Sequence, residues 1–240
     1  MNMQGNQIIG ELVAKDYRAA SVFKKYGIDF CCQGNRTIQE ASEKKGVEFI
    51  KVLADLEEVT QANSNSFSDY QSWPLDLLAD YIEKKHHRYV QDKTLELQPY
   101  LDKICKVHGQ NHPELFEIRK EFNESAGELA VHMKKEELIL FPFIRKMVKA
   151  KQGGNSIGIP HFDTVQNPIK MMEEEHSVEG ERFRKIDEIS NGFTPPLDAC
   201  NTYQVTFALL KEFEQDLHLH IHLENNILFP KAIELEKQIS

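Results

Sequence analysis

Two stretches of the chain repeat one arrangement of metal-binding residue types. The first is His132-Met-Lys-Lys-Glu136-Glu-Leu-Ile139-Leu140-Phe141-Pro142, the second His220-Ile-His-Leu-Glu224-Asn-Asn-Ile227-Leu228-Phe229-Pro230. Both read H-x-x-x-E-x-x-I-L-F-P. Residues four apart on a helix share a face and lie ~6 Å apart along its axis. An imidazole and a carboxylate at that spacing reach the same ion. A segment with its own histidine precedes each repeat, His86-His87 before the first and His176 before the second. One imidazole from each such segment completes a set of four imidazoles and two carboxylates. The carboxylates can bridge two transition-metal ions and the imidazoles can terminate each one, with positions left open. A single His-x-x-x-Glu is usually a solvated helix pair. Its recurrence in register ahead of the same apolar tail is what core packing does not explain. A second register is also available: Glu83-x-x-His86 and Glu173-x-x-His176, joined by Glu136 and Glu224, match the Glu-x-x-His pattern of ferritin-like di-iron bundles. His86 and His87 face ~100° apart, so spacing does not choose between them. Zinc accepts the same ligand types.

The elements that must position these residues are helical. Apolar residues recur at three- and four-residue spacing almost throughout, and strand-like alternation is rare. Residues 8 to 26 form one amphipathic pattern closed by Gly27, followed by the loop Ile28 to Arg36. Thr37 and Glu40 have capping-box spacing at the head of a second short helix, and a third follows Gly46. Residues 1–59 therefore form a small three-helix domain, 60–73 a polar linker, and 74–240 a second domain. That second domain has four long helical segments: Leu75 to Val107 with a kink expected at Pro99, Pro113 to Lys151, Pro168 to Ile189, and one opening near Asp198 as N-cap. Four long helices on short connections predict an all-α, up-down four-helix bundle behind the small N-terminal domain. Pro142 and Pro230 should disturb the regular hydrogen bonding one turn past the candidate ligands.

Composition sets the surroundings. The chain has 240 residues, 29 Lys+Arg against 38 Asp+Glu, and a net charge of -9. That balance excludes nucleic acid and anionic membrane surfaces as default partners. The chain start has neither a basic n-region nor an apolar h-region, and no stretch is apolar enough to span a bilayer. Cytoplasmic localisation is the expectation. Four cysteines are too few for a disulfide scaffold. Cys31 and Cys32 are adjacent, so any bond between them would be strained and labile. They read as a redox or transfer pair, and Cys105 and Cys200 as buried structural residues.

Further stretches carry a resemblance. The H-x-x-x-E…FP repeats are similar to the hemerythrin-like di-iron fold. Gly27-Ile-Asp-Phe-Cys-Cys-Gln-Gly34 resembles the small domain that precedes this fold in the Repair of Iron Centers family. Lys106-Val-His-Gly109, Glu175-His176, Thr194-Pro-Pro-Leu-Asp-Ala-Cys-Asn201 and His222-Leu-Glu-Asn-Asn226 match as well, so the resemblance spans essentially the whole chain. It implies two non-haem iron ions, oxo- or hydroxo-bridged, held by His87, His132, Glu136, His176, His220 and Glu224. The two glutamates would bridge. It selects His87 over His86, and adds His108 as a ligand or near neighbour of the metals. His218 and His222 are expected to be partly exposed.

The implied function is repair of iron–sulfur clusters damaged by nitrosative or oxidative stress, through iron donation. Damaged iron–sulfur proteins or cluster-assembly proteins would be the partners, with nitric oxide or O2 as small ligands and a homodimer as a compatible assembly. The Cys31–Cys32 pair would bind nitric oxide, accept iron or dock a client. Two other functions fit the same residues: a di-iron nitric oxide reductase, and a hemerythrin-like NO or O2 sensor.

Overall fold

The computed structural model describes residues 4–61, 69–158 and 160–239. Four short helices, α1 (Ile9–Lys15), α2 (Ala19–Lys25), α3 (Ile38–Lys45) and α4 (Phe49–Gln61), precede four long ones, α5 (75–108), α6 (114–152), α7 (166–189) and α8 (201–239). Among the described residues no strand forms; the one extended pairing is an isolated bridge between Ile8 and Thr37. The long helices pack in a ring, α5 on α6, α6 on α7, and α8 back on α5 and α7, as an up-down bundle does.

The N-terminal region holds one helix more than the sequence predicts. The amphipathic pattern over 8 to 26 breaks at Asp16, whose backbone is extended. Its carboxylate accepts from the Arg18 amide at 3.1 Å and from the Arg18 guanidinium, which restarts the chain as α2. The capping box forms as expected: the Glu40 amide donates to Thr37 Oγ1 at 3.1 Å, and the Thr37 amide to Glu40 Oε2 at 2.9 Å. Half of the expected linker, 62–68, lies outside the described residues; Thr60 and Gln61 still belong to α4, and Tyr70–Ser72 is a single tight turn.

Each long helix carries two buried apolar stretches with the candidate ligands between them. In α5, Leu78 and Ile82 lie on one side and Leu97, Leu101 and Ile104 on the other. In α7, Ile169 and Met172 face Phe183 and Ile186 across His176. The bundle is thus two apolar cores separated by a polar layer.

Three of the helices change hydrogen-bond register at that layer. Ile82–His87, Glu136–Leu140 and Glu224–Leu228 are π-helical turns. The Phe141 amide donates to the Glu136 carbonyl and the Phe229 amide to that of Glu224, five residues back. Pro142 and Pro230 follow at once, where a regular turn would force the ring against a carbonyl. The expected disturbance is therefore a wide turn that starts on the glutamate itself. Ile82–His87 has no proline, so proline is not the general cause; what the three turns share is a candidate ligand. The helix runs on through Pro99. Helix α8 opens on Cys200 and not on Asp198, whose carboxylate is engaged by His112 at 3.0 Å.

The N-terminal helices are seated on the bundle. Ile9, Leu12, Phe23 and Phe30 belong to the same apolar core as Leu210 and Ile221 of α8. Gly10 and Gly34 leave no room there for a side chain. A Cβ on Gly10 would sit 2.2 Å from Asn226 Oδ1, and one on Gly34 2.9 Å from it. Lys24 closes the junction with an ion pair to the buried Glu214 at 2.5 Å.

Candidate metal centre

The polar layer brings six of the seven sequence-predicted metal residues together. His87, Glu136, His220 and Glu224 form one buried group, and His132, Glu136, His176 and Glu224 a second. Within each group the potential ligand atoms lie within 4.8 Å of one another. Glu136 and Glu224 belong to both groups. The imidazole Nε2 atoms face them: His87 to Glu136 at 3.4 Å, His132 to Glu136 at 3.3 Å, His176 to Glu224 at 3.2 Å and His220 to Glu224 at 3.2 Å.

The donor chemistry fits a pair of cations. Both oxygens of Glu136 and both of Glu224 are buried without a well-formed hydrogen bond, as are both ring nitrogens of His220. A buried carboxylate left this way costs several kcal/mol unless charge of opposite sign meets it. His132 Nε2 and His176 Nε2 point at each other at 3.0 Å. Two nitrogens held ~2.1 Å from one ion at a right angle stand about 3 Å apart, which is how such a pair is reconciled. The field is strongly negative. Burial alone would push the His132 pKa down, yet Glu136, Glu175 and Glu224 hold it up at about 10. Burial and the Glu224 charge push the Glu136 carboxyl upward, but His132 and His87 outweigh them and hold it below its usual range. His220 goes the other way, burial lowering it despite Glu224.

Three of the four imidazoles are oriented through Nδ1, leaving Nε2 for the cation. His87 Nδ1 meets Glu137 Oε1 at 3.0 Å, His132 Nδ1 meets Glu175 Oε2 at 2.8 Å, and His176 Nδ1 donates to Asn225 Oδ1 at 2.8 Å. Glu175 is held at about 2 by His132 and then by Lys135. Sequence reasoning did not single out Glu137, Glu175 or Asn225 for this role. The available signal was adjacency: each is next to a candidate ligand in the chain. A cleft of about 290 Å³ opens onto His132, Glu175 and His176. A wider one of about 720 Å³, between Tyr17, Phe30 and Asp216, contains none of the six residues.

Other expectations are corrected. His108 is not at the centre. It ends the helix 21 residues after His87, about 30 Å along the axis at 1.5 Å per residue, and packs on Tyr203 with ring centroids 5.4 Å apart. The rival Glu-x-x-His register does not assemble, because Glu83 pairs with Arg145 at 2.5 Å and Glu173 faces solvent. His86 is buried beside the centre but outside both groups. Its Nδ1 lies 3.0 Å from Asp216 and its ring stacks on His220. His222 is fully buried, since Tyr17 and Phe30 of the N-terminal region cover it. Burial lowers its pKa to about 3. Cys105 is buried as expected, but Cys200 is exposed, and the Tyr203 amide and His108 lower its thiol to about 7.

Cys31 and Cys32 sit on the loop between α2 and α3, with sulfurs 3.6 Å apart and unbonded. Asp29 Oδ1 accepts from the amides of both, at 3.1 and 2.9 Å, and so shapes the loop. The Cys32 thiol donates to the His176 carbonyl at 3.3 Å.

Comparison with known proteins agrees with this geometry. Residues 78–232 match the hemerythrin HHE cation-binding domain, and residues 5–60 a domain of unknown function that bears the name ScdA_N. The iron–sulfur cluster repair protein ScdA of Staphylococcus haemolyticus is 30% identical over 225 residues, covering 93% of this chain and 96% of that protein. The iron–sulfur cluster repair protein YtfE of Yersinia pestis is 33% identical over 228 residues, covering 95% and 97%. YtfE of Musicola paradisiaca is 33% identical over 225 residues, covering 94% and 95%.

Proposed function

The chain belongs to the family of iron–sulfur cluster repair proteins built on a hemerythrin HHE cation-binding domain, and from that premise we propose that it holds two non-haem irons and supplies iron to damaged iron–sulfur clusters. One observation carries the reading: two buried His/Glu groups share Glu136 and Glu224, whose oxygens have no other partner. His87 and His220 would hold one iron, His132 and His176 the other, and the two glutamates would span both. Bound there, two adjacent irons would supply redox change and the binding of small ligands such as nitric oxide or O2.

Release of iron as cargo needs a position that is not fully enclosed by protein donors. Two imidazoles and two shared carboxylates per ion leave it so. The His132–His176 side faces the cleft of about 290 Å³, so cargo would leave there. Residues 74–240 would act as the iron-holding unit. Residues 1–59 would present Cys31 and Cys32 beside His176, to receive iron or dock the client. Damaged iron–sulfur proteins, or the proteins that assemble their clusters, are the partners on this reading. Among the described residues no helix is long and apolar enough to cross a membrane, in keeping with a cytoplasmic site of action.

The test uses the chain loaded with isotopically labelled iron and a cluster enzyme inactivated by nitric oxide. Recovery of activity with label in the restored cluster is the expected result. Recovery without label refutes donation, and steady consumption of nitric oxide with an electron donor would make the centre an enzyme instead.

A further inference from the structure

The two metal positions differ in what lies behind them. The imidazole of His176, and not those of His87 or His220, is tied to the cysteine loop. Asn225 makes the tie with both ends of its amide. Its Oδ1 accepts from His176 Nδ1 at 2.8 Å, and its Nδ2 donates to the Cys31 carbonyl at 3.1 Å. The second bond fixes the amide orientation, since the reversed amide would set two oxygens against each other. With Oδ1 placed, His176 must carry its proton on Nδ1 and offer Nε2 to the polar layer. A parallel tie runs through the main chain, from the Cys32 thiol to the His176 carbonyl at 3.3 Å. Asn226 pins the same loop, donating to the Phe30 carbonyl at 3.2 Å. Asn225 and Asn226 stand in the π-helical turn that begins on Glu224, which both groups share; the side-chain tie through Asn225 reaches His176 only.

We propose that Asn225 is a positioning residue that couples the Cys31–Cys32 loop to the His132–His176 metal position alone. The inference rests on the two-iron reading above. An ion on His176 Nε2 orders the ring, the ring orders Asn225, and Asn225 holds the loop closed over Cys32. Coupling between two sites is reciprocal. Opening the loop at Cys32 therefore loosens the ion at His176, while the His87–His220 position, which has no such link, keeps its own. A client that engages the cysteines would thereby release one iron out of two, at the position that faces the cleft.

The test measures two quantities on a Cys200→Ser background, because Cys200 is exposed and would consume the reagent. One is the rate of Cys32 alkylation by N-ethylmaleimide, with and without ferrous iron under anaerobic conditions. The other is the affinity of each iron equivalent, by competition with a coloured chelator. Iron should slow alkylation at least ~10-fold, and prior alkylation should weaken one of the two equivalents ~10- to 100-fold, the range for loss of a group that orients a metal ligand. Asn225→Leu should weaken that one equivalent similarly and make alkylation indifferent to iron. Asn225→Asp keeps an acceptor for His176 but sets a carboxylate against the Cys31 carbonyl. It should retain iron affinity within ~3-fold, a small part of that range, and still lose the effect of iron on alkylation. Alkylation indifferent to iron while Asn225 is present overturns the proposal, as does equal weakening of both equivalents. A chain that binds two irons yet shows either result refutes only the coupling; one that binds no iron refutes the reading beneath it too.

Discussion

Glu136 stands in both four-residue groups and His132 in only one, which makes the two substitutions unequal in a way that metal-dependent stability can measure. An ion that binds the folded chain alone stabilises it by about 2.7 kcal/mol at a hundred times its Kd. Two ions contribute roughly 5 kcal/mol, and a chain of this size gains ~2–4 °C in Tm per kcal/mol, so iron should raise Tm by about 10–20 °C. His132→Ala weakens one position. If its affinity falls ~100-fold, that position contributes about 0.4 kcal/mol and the rise shrinks to roughly 6–12 °C. Glu136→Gln weakens both, and the rise should fall to about 2–3 °C. The assay is the difference in Tm with and without ferrous iron within each variant, so destabilisation of the metal-free chain cancels. A Glu136→Gln protein that keeps half or more of the wild-type rise would refute the assignment of Glu136 to both positions.

The remaining predictions concern the groups around the centre. Glu137→Gln should weaken the iron at His87 and Glu175→Gln the one at His132, each ~10- to 100-fold, read as one altered equivalent in a chelator titration. The Cys200 thiol lies near 7 and below its ordinary value, so its alkylation rate should be near its plateau at pH 8 and fall as pH drops through about 7. A midpoint near pH 9 would contradict the influence of Tyr203 and His108. Phe122 is fully buried and packs edge-on against Phe213 with centroids 5.3 Å apart, so Phe122→Ala should cost about 3–5 kcal/mol in denaturant unfolding while leaving iron stoichiometry unchanged.

The sequence is most legible where the physics is periodic. Amphipathic spacing marks the long helices, Thr37 and Glu40 mark a cap, and the repeated H-x-x-x-E marks a shared face. What it conceals depends on register or on distant chain. His87 faces Glu136 while His86 turns to Asp216, and both lie in the π-helical turn Ile82–His87, where no residue type announces the change of register. Prolines do announce the other two turns, though as a break and not as a wide turn. His222 looks free on the pattern of α8 because its cover, Tyr17 and Phe30, lies some two hundred residues earlier. His108 resembles a site residue in its local motif, but it ends α5, 21 residues past His87, and so lies away from the polar layer. Cys200 reads as an ordinary small apolar residue until its place at the head of α8 exposes it. Glu137, Glu175 and Asn225 are visible as polar neighbours of the ligands, yet their task appears only when the imidazoles are seen to turn Nδ1 toward them.

The most direct measurement of the central claim is an anaerobic titration of the metal-free chain with ferrous iron, followed by oxidation and a visible spectrum. Two equivalents per chain, reduced to one strong equivalent by His176→Ala and to none by Glu136→Gln, is the predicted result. A break at one equivalent, or two equivalents that survive Glu136→Gln, would contradict a centre in which two metals share Glu136 and Glu224.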